Sequence, residues 1–223
     1  MAAFFREVLD RCFTPDFLYG VRKKFHFAET QMREMQEVAM CMAPRMHKEA
    51  FWERKADFIQ GRHCMEKPGR KYEIAAMSLG SGIDHLQERY SAEGLLLQSY
   101  ILEVLAGEIL MEGYPAYQQY IKKETGWRVA AYHFPGSEEA LPLELLPELL
   151  QECAPQITCN AAFAMSPAQS VLFLAELAQD GRIECGSLCQ GCRQSSCPNR
   201  IRAASHASQP MTYGYSRIFG LYP

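Results

Sequence analysis

Four cysteines fall within thirteen residues toward the end of the chain: Cys185, Cys189, Cys192 and Cys197, spaced C-x3-C-x2-C-x4-C. Their neighbours are Gly, Ser, Gln and Pro, which offer little apolar surface to a core. Thiols crowded on a polar loop serve more naturally as ligands than as core residues. As thiolates they suit an iron–sulfur cluster or a tetrahedral zinc ion; a metal-free loop, reduced or partly disulfide-linked, is the remaining state. Zinc sites more often split into two separated C-x2-C pairs, so one dense run stands closer to the iron–sulfur pattern. The other five cysteines, Cys12, Cys41, Cys64, Cys153 and Cys159, are scattered through apolar or mixed segments. They read as packed or surface thiols, because a free Cys behaves as a small hydrophobe.

A second stretch that invites chemistry is Leu79-Gly80-Ser81-Gly82, set between an apolar run and Ile83-Asp84. A strand, a Gly-rich turn and a helix start let backbone amides approach an anion or a cofactor. The stretch is not a full dinucleotide fingerprint, and tight turns use Gly without any ligand. No nucleophile and base stand in a recognisable set, so no catalytic residue is assigned. His85 and His133 are isolated in the sequence. Asp84 suits the first turn of a helix, where negative charge is favourable, and Glu112 suits a solvated helix face.

The elements that must position these residues follow from pattern. Residues 2–13 alternate apolar and charged at helical spacing, and Thr14-Pro15-Asp16 marks a stop followed by a new helix start. Glu29 to Met42 is rich in helix formers, with Met32, Met35, Val38 and Met42 as its apolar stripe, and Pro44 is expected to end it. His47 to Lys71 predicts irregular structure with room for a strand. Tyr72–Ser78 reads as a buried strand. His85 to Lys123 reads as mostly helical, interrupted at Gly113-Tyr114-Pro115. Trp127–His133 is a strand by its aromatic and β-branched content. Phe134-Pro135-Gly136-Ser137 is a turn, and a helix beginning near Pro142 runs to Cys153. Ile157–Asn160 and Ser170–Glu176 complete the strands, with Met165-Ser166-Pro167 turning the chain between them.

The 223 residues are 48% hydrophobic and 22% charged, ordinary for a globular chain with a core of its own. The net charge of −3 gives no reason to expect nucleic acid or an anionic membrane as partner. No run approaches the roughly 18 apolar residues of a membrane span, and the first residues lack a signal-peptide core. A cytoplasmic location is expected, where stable disulfides are rare.

Taken in order, the turn motifs resemble the activation (reactivation) domain of cobalamin-dependent methionine synthase, in its stand-alone form. The landmarks are Ala76-Met-Ser-Leu-Gly80-Ser-Gly-Ile-Asp84, Tyr132-His-Phe-Pro-Gly136-Ser with Leu141-Pro-Leu143, Ile157-Thr158, Met165-Ser-Pro167 with Gln169-Ser-Val171, and Cys189-x2-Cys192-x4-Cys197-Pro-x-Arg200. They cover roughly residues 70–200. The resemblance implies an α+β fold, a twisted, mainly antiparallel sheet with flanking helices, closed by the Cys-rich loop. It divides the chain into one domain over 1–200 (a helical part to 70, a core over 70–184, the loop over 185–200) and a tail over 201–223. It also implies S-adenosylmethionine as ligand, a corrinoid protein or methyltransferase as partner, and cobalamin met only through that partner. The ligand positions would be Gly80, Gly82, Asp84, Tyr132, Pro135, Gly136 and Ser137.

One departure bears on the ligand. The family's loop reads Arg-x-x-Pro-Gly-Tyr, whereas Tyr132 and Ser137 stand at the Arg and Tyr positions here. A phenol cannot replace the bidentate fork by which a guanidinium holds a carboxylate, and Arg128 sits about 13 Å away on an extended strand. This counts against S-adenosylmethionine binding. The spacing Cys185-x3-Cys189-x2-Cys192 also resembles that of radical S-adenosylmethionine enzymes. Those carry it early in a large barrel, while 31 residues follow Cys192 here. The expected function is that of an accessory protein assisting reductive reactivation of a corrinoid methyltransferase, with the cysteines as metal ligands. The alternative is a non-catalytic metal-binding or interaction module that keeps the fold.

Overall fold

The computed structural model describes residues 3–56, 69–137 and 139–179. Cys64, the expected metal ligands Cys185, Cys189, Cys192 and Cys197, and the tail lie outside the described residues. The fold is α+β: an antiparallel four-stranded sheet in the order β1-β2-β6-β3, with helices on both faces.

The first helices follow the capping signals. Helix α1 spans Ala3–Cys12 and α2 spans Pro15–Lys24. Thr14 caps α2 by accepting the Phe17 amide at 3.4 Å on Oγ1, and Pro15 occupies the first turn, where its missing N–H costs nothing. Helix α3 then runs over Met32–Glu49, straight through Pro44. The expected stop at Pro44 is therefore corrected. The buried stripe Met35, Val38, Ala39, Met42 and Met46 continues on both sides of the proline. Pro44 itself is exposed, as is Met40 four residues back. The carbonyl that loses its partner thus faces water, and packing outweighs the local penalty.

Strand β1, Phe51–Lys55, lies in the stretch expected to be irregular with room for a strand. It pairs antiparallel with β2, Arg70–Ser78, which pairs with β6, Ser170–Ala178. Strand β3, Arg128–His133, pairs with the other edge of β6. Between β2 and β3 come two helices rather than one. Helix α4 spans Ser81–Ala92 and α5 spans Leu96–Thr125. The break lies at Gly94, φ +69°, where Leu95 N donates to Tyr90 O at 2.8 Å and Gly94 N to Ser91 O at 3.1 Å. That pair of bonds is the Schellman ending, which favours Gly in the left-handed position. The interruption expected at Gly113-Tyr114-Pro115 is absent. Ile109, Leu110, Gly113, Tyr114, Ala116, Tyr117 and Ile121 are all buried, and this continuous face carries the helix past Pro115.

Sheet alternation divides the core. Ala75, Met77, Phe173, Ala175 and Leu177 face one side, where α5 lies on the sheet with α1, α3 and α4 packed around it. Ile74, Ala76, Leu172 and Leu174 face the other, covered by α6, Leu146–Cys153. A short 3-10 turn, Leu143–Leu145, leads into α6, and a small hairpin of β4, Thr158–Cys159, and β5, Met165–Ser166, follows it. A large side chain taken fully out of water here contributes about 1.5–3 kcal/mol, and Phe5, Met35, Tyr117, Phe173 and Ile74 are each at 0% exposure. The N-terminal helices and β1 share this core with residues as late as Leu177. Among the described residues no helix is long and apolar enough to cross a membrane.

Candidate functional site

Strand β2 delivers the Gly-rich turn to one end of the sheet. There the turn meets the end of α3, the start of β1 and the β4–β5 hairpin. Together they enclose an open cleft of about 430 Å³ lined by Glu49, Phe51, Gly80, Ser81, Gln156, Thr158, Ser166 and Pro167. Three landmarks that are far apart in sequence thus come together: the Gly80–Ser81 turn, Thr158, and Ser166-Pro167.

The turn is fixed by internal bonds. Gly80 N donates to Ser78 Oγ at 3.2 Å, Ser78 Oγ lies 2.8 Å from Ser170 Oγ, and Leu79 N donates to Gln169 O at 2.9 Å. The first turn of α4 receives an anion from the chain itself. Glu49 Oε2 accepts the Gly82 amide at 2.6 Å and the Ser81 hydroxyl at 3.1 Å. A carboxylate is what the unpaired amides and positive end of a helix favour. The glycines have an internal reason as well. Gly80 has φ +86°, and a Cβ there would lie 2.5 Å from Glu49 Cβ; one on Gly82 would lie 3.2 Å from Arg45 Cβ. Asp84 points along the same helix end and accepts the Ala168 amide at 2.9 Å, tying α4 to the segment before β6. Burial raises its carboxyl above the ordinary value, and the Ala168 N–H opposes that rise.

The Pro135–Gly136 loop is a separate closed turn. Gly136 N donates to Leu141 O at 2.7 Å, and the Ser137 hydroxyl donates to Phe134 O at 2.6 Å. Gly136 has φ +81° and packs on Leu143, which a Cβ would approach to 3.2 Å. Tyr132 does not join this loop. Its ring is buried under α5, 5.2 Å from the Phe173 ring and 5.1 Å from the Tyr114 ring, and its hydroxyl donates to Tyr114 O at 3.1 Å. Of the seven expected ligand positions, only Gly80 lines the cleft. Gly82 and Asp84 stand just behind it, and Tyr132, Pro135, Gly136 and Ser137 do not line it.

No family model matches the chain, and no curated protein matches it. What the site can do therefore rests on its own geometry.

Two buried acids were not singled out in the sequence. Glu73 faces α5 at 4% exposure, where Arg54 Nη1 lies 3.0 Å from both of its oxygens and the Tyr117 hydroxyl donates to Oε2 at 3.1 Å. Burial first, then the adjacent Glu73, push the Tyr117 phenol above its ordinary value. Glu176 faces the opposite side at 3% exposure, with Arg70 Nε at 3.1 Å and His133 Nε2 at 3.3 Å. His133 is thus joined to a carboxylate, not isolated as its sequence surroundings implied. The only advance signal was a Glu inside each apolar strand pattern; the partners lie 43 or more residues away for Glu176–His133 and Glu73–Tyr117. Neither acid lines the cleft, and both read as structural pairs that make a buried charge tolerable. Among the described residues no group of three or more His, Cys, Asp or Glu is placed to hold a metal ion. The Cys153 thiol is buried and pushed up to about 12, chiefly by that burial, which leaves it unreactive as a nucleophile.

Proposed function

We propose that this chain is a cytoplasmic accessory protein of a corrinoid-dependent methyltransferase. It docks on the corrinoid protein and assists reductive return of the cobalt to its active state, with Cys185, Cys189, Cys192 and Cys197 holding a redox metal centre. The observation that supports the docking reading is the convergence at one cleft of Gly80–Ser81, Thr158 and Ser166-Pro167, three of the landmarks that carry the resemblance. The donor set supports the metal reading: four thiolates in one run fit an iron–sulfur cluster, which would supply one-electron transfer, and also fit zinc, which would not.

S-adenosylmethionine does not fit the residues present. The Tyr132 hydroxyl is committed to Tyr114 O and the Ser137 hydroxyl to Phe134 O. Neither offers the guanidinium fork, and no step is assigned to that ligand. This same observation favours a second reading, an interaction module that keeps the fold without S-adenosylmethionine chemistry.

The deciding experiment combines anaerobic purification of the full chain with iron, sulfide and zinc analysis, and a binding assay against the cobalamin-loaded corrinoid protein of the same cell. The accessory reading expects stoichiometric iron and sulfide, a visible chromophore lost in C189S/C192S, and saturable binding to the corrinoid protein. A colourless, zinc-loaded or metal-free protein removes the redox role, and failure to bind any corrinoid protein of that cell removes the docking role.

A further inference from the structure

Among the described residues, the lining of the cleft at the Gly80–Ser81 turn carries one formal charge, the Glu49 carboxylate; the other described lining side chains are neutral. Glu49 Oε2 is committed to Gly82 N and Ser81 Oγ, and no Lys, Arg or His among the described residues pairs with this carboxylate. Electrostatics decide the sign of what would fit. A helix N-terminus is worth about +0.5 of an elementary charge. Glu49, a full charge, more than offsets it, so the described lining together with the helix end is net negative. The position in which an external phosphate or carboxylate would meet the α4 amides is already filled by Glu49.

The remaining lining sets the rest of the ligand. Phe51 and Pro167 are the apolar members; Ser81, Thr158 and Ser166 add hydroxyls and Gln156 adds an amide. The volume, about 430 Å³, falls in the range of small-molecule sites. We infer that this cleft binds a small protonated amine, a primary ammonium on a short stem, with Glu49 as its counter-ion and the hydroxyls as secondary partners. The inference stands apart from the docking reading: the amine site can exist whether or not the chain engages a corrinoid protein.

The probe is 1,4-diaminobutane, with 1,4-butanediol as the uncharged control of the same length, titrated into the full chain and followed by amide chemical shifts. The expected result is saturable shifts at Gly80–Gly82 and Phe51 with the diamine, and at least about fivefold weaker effects with the diol, as befits one partly exposed ion pair. Glu49→Gln keeps an acceptor for the Gly82 amide but removes the charge, and should weaken the diamine about fivefold while the chain stays folded, with a modestly lower melting temperature from the lost charge at the α4 end. Should Glu49→Gln unfold the chain, Thr158→Phe serves instead, since a ring there fills the cleft from the exposed hairpin and should abolish the shifts. Equal binding of diamine and diol, shifts that never saturate, or shifts that persist unaltered in both variants would overturn the assignment.

Discussion

The Tyr117 hydroxyl donates to Glu73 Oε2 at 3.1 Å, joining the C-terminal third of α5 to β2 inside the main core. Arg54 approaches the same carboxylate from β1, so one buried anion ties two strands to α5. The two partners are not equivalent. Tyr117→Phe removes one neutral donor and leaves the charge balanced, at an expected cost of about 1–2 kcal/mol. Arg54→Met leaves Glu73 buried without its cation and should cost about 3 kcal/mol or more. Urea unfolding of the two variants checks the order; a costlier Tyr117→Phe would mean that Arg54 is not the balancing charge.

Gly80→Ala should destabilise the chain by about 2–4 kcal/mol, through a left-handed backbone and a clash with the end of α3. The relevant geometry is φ +86° with a Cβ position 2.5 Å from Glu49 Cβ. Gly94→Ala also meets a positive φ, +69°, but at the left-handed end of a helix and with open space around it, and should cost only about 1 kcal/mol. Thermal melts of the pair check this order.

Asp84 gives a pH signature of defined sign. Its carboxyl is raised in the folded state, chiefly by burial. Between the unfolded value, about 4, and that raised value the folded chain binds the extra proton. Asp84 therefore favours folding below this window, and the contribution is lost as pH rises through it. Asp84→Asn keeps an acceptor for Ala168 N without the charge, so it should flatten stability against pH in that window and be no less stable than the parent at pH 7. Asp84→Ala should lose about 1 kcal/mol with the bond. A parent whose stability rises with pH there, with the rise abolished in Asp84→Asn, contradicts the assignment.

Native-state alkylation at pH 8 should spare Cys153, whose thiol is buried and raised to about 12, and should reach the partly exposed Cys159 well before it. Unfolding in urea should equalise the two. Peptide mass spectrometry after a short iodoacetamide pulse reads both; early labelling of Cys153 would show that α6 opens readily from the sheet.

Strands β2, β3 and β6 were legible because each is a bounded run of apolar, aromatic or β-branched residues, and the Thr14 cap announced α2. Pro44 and Pro115 are deceptive in the sequence because the helix-breaking tendency of proline is local, whereas tertiary burial decides. At both, an apolar face continues beyond the proline and holds the helix together. The Gly94 ending was readable in principle, as Gly after a periodic run, but the leucines on both sides masked it. The cleft was half legible. The Gly-rich turn was visible, whereas its counter-ion, Glu49, sits 33 residues upstream of the amide that it accepts. No local pattern marks a carboxylate for a helix that has not yet been made. Tyr132 showed the converse: aligned with a ligand position by resemblance, it is spent on the core.

The pairing of β3 with β6 skips Ala130, so Val129 and Tyr132 lie opposite Leu177 and Ala175 on one face while Ala131 and His133 lie opposite Glu176 and Leu174 on the other. That single extra residue sets the parity of the strand. Deleting it would turn either Val129 or the Tyr132–His133 pair inside out, placing an imidazole among the rings of Tyr114 and Phe173 or a phenol against α6. Length at this position is thus a stricter constraint than identity: Ala130 should tolerate exchange for other small residues, whereas a chain one residue shorter there has no register that keeps both cores dry.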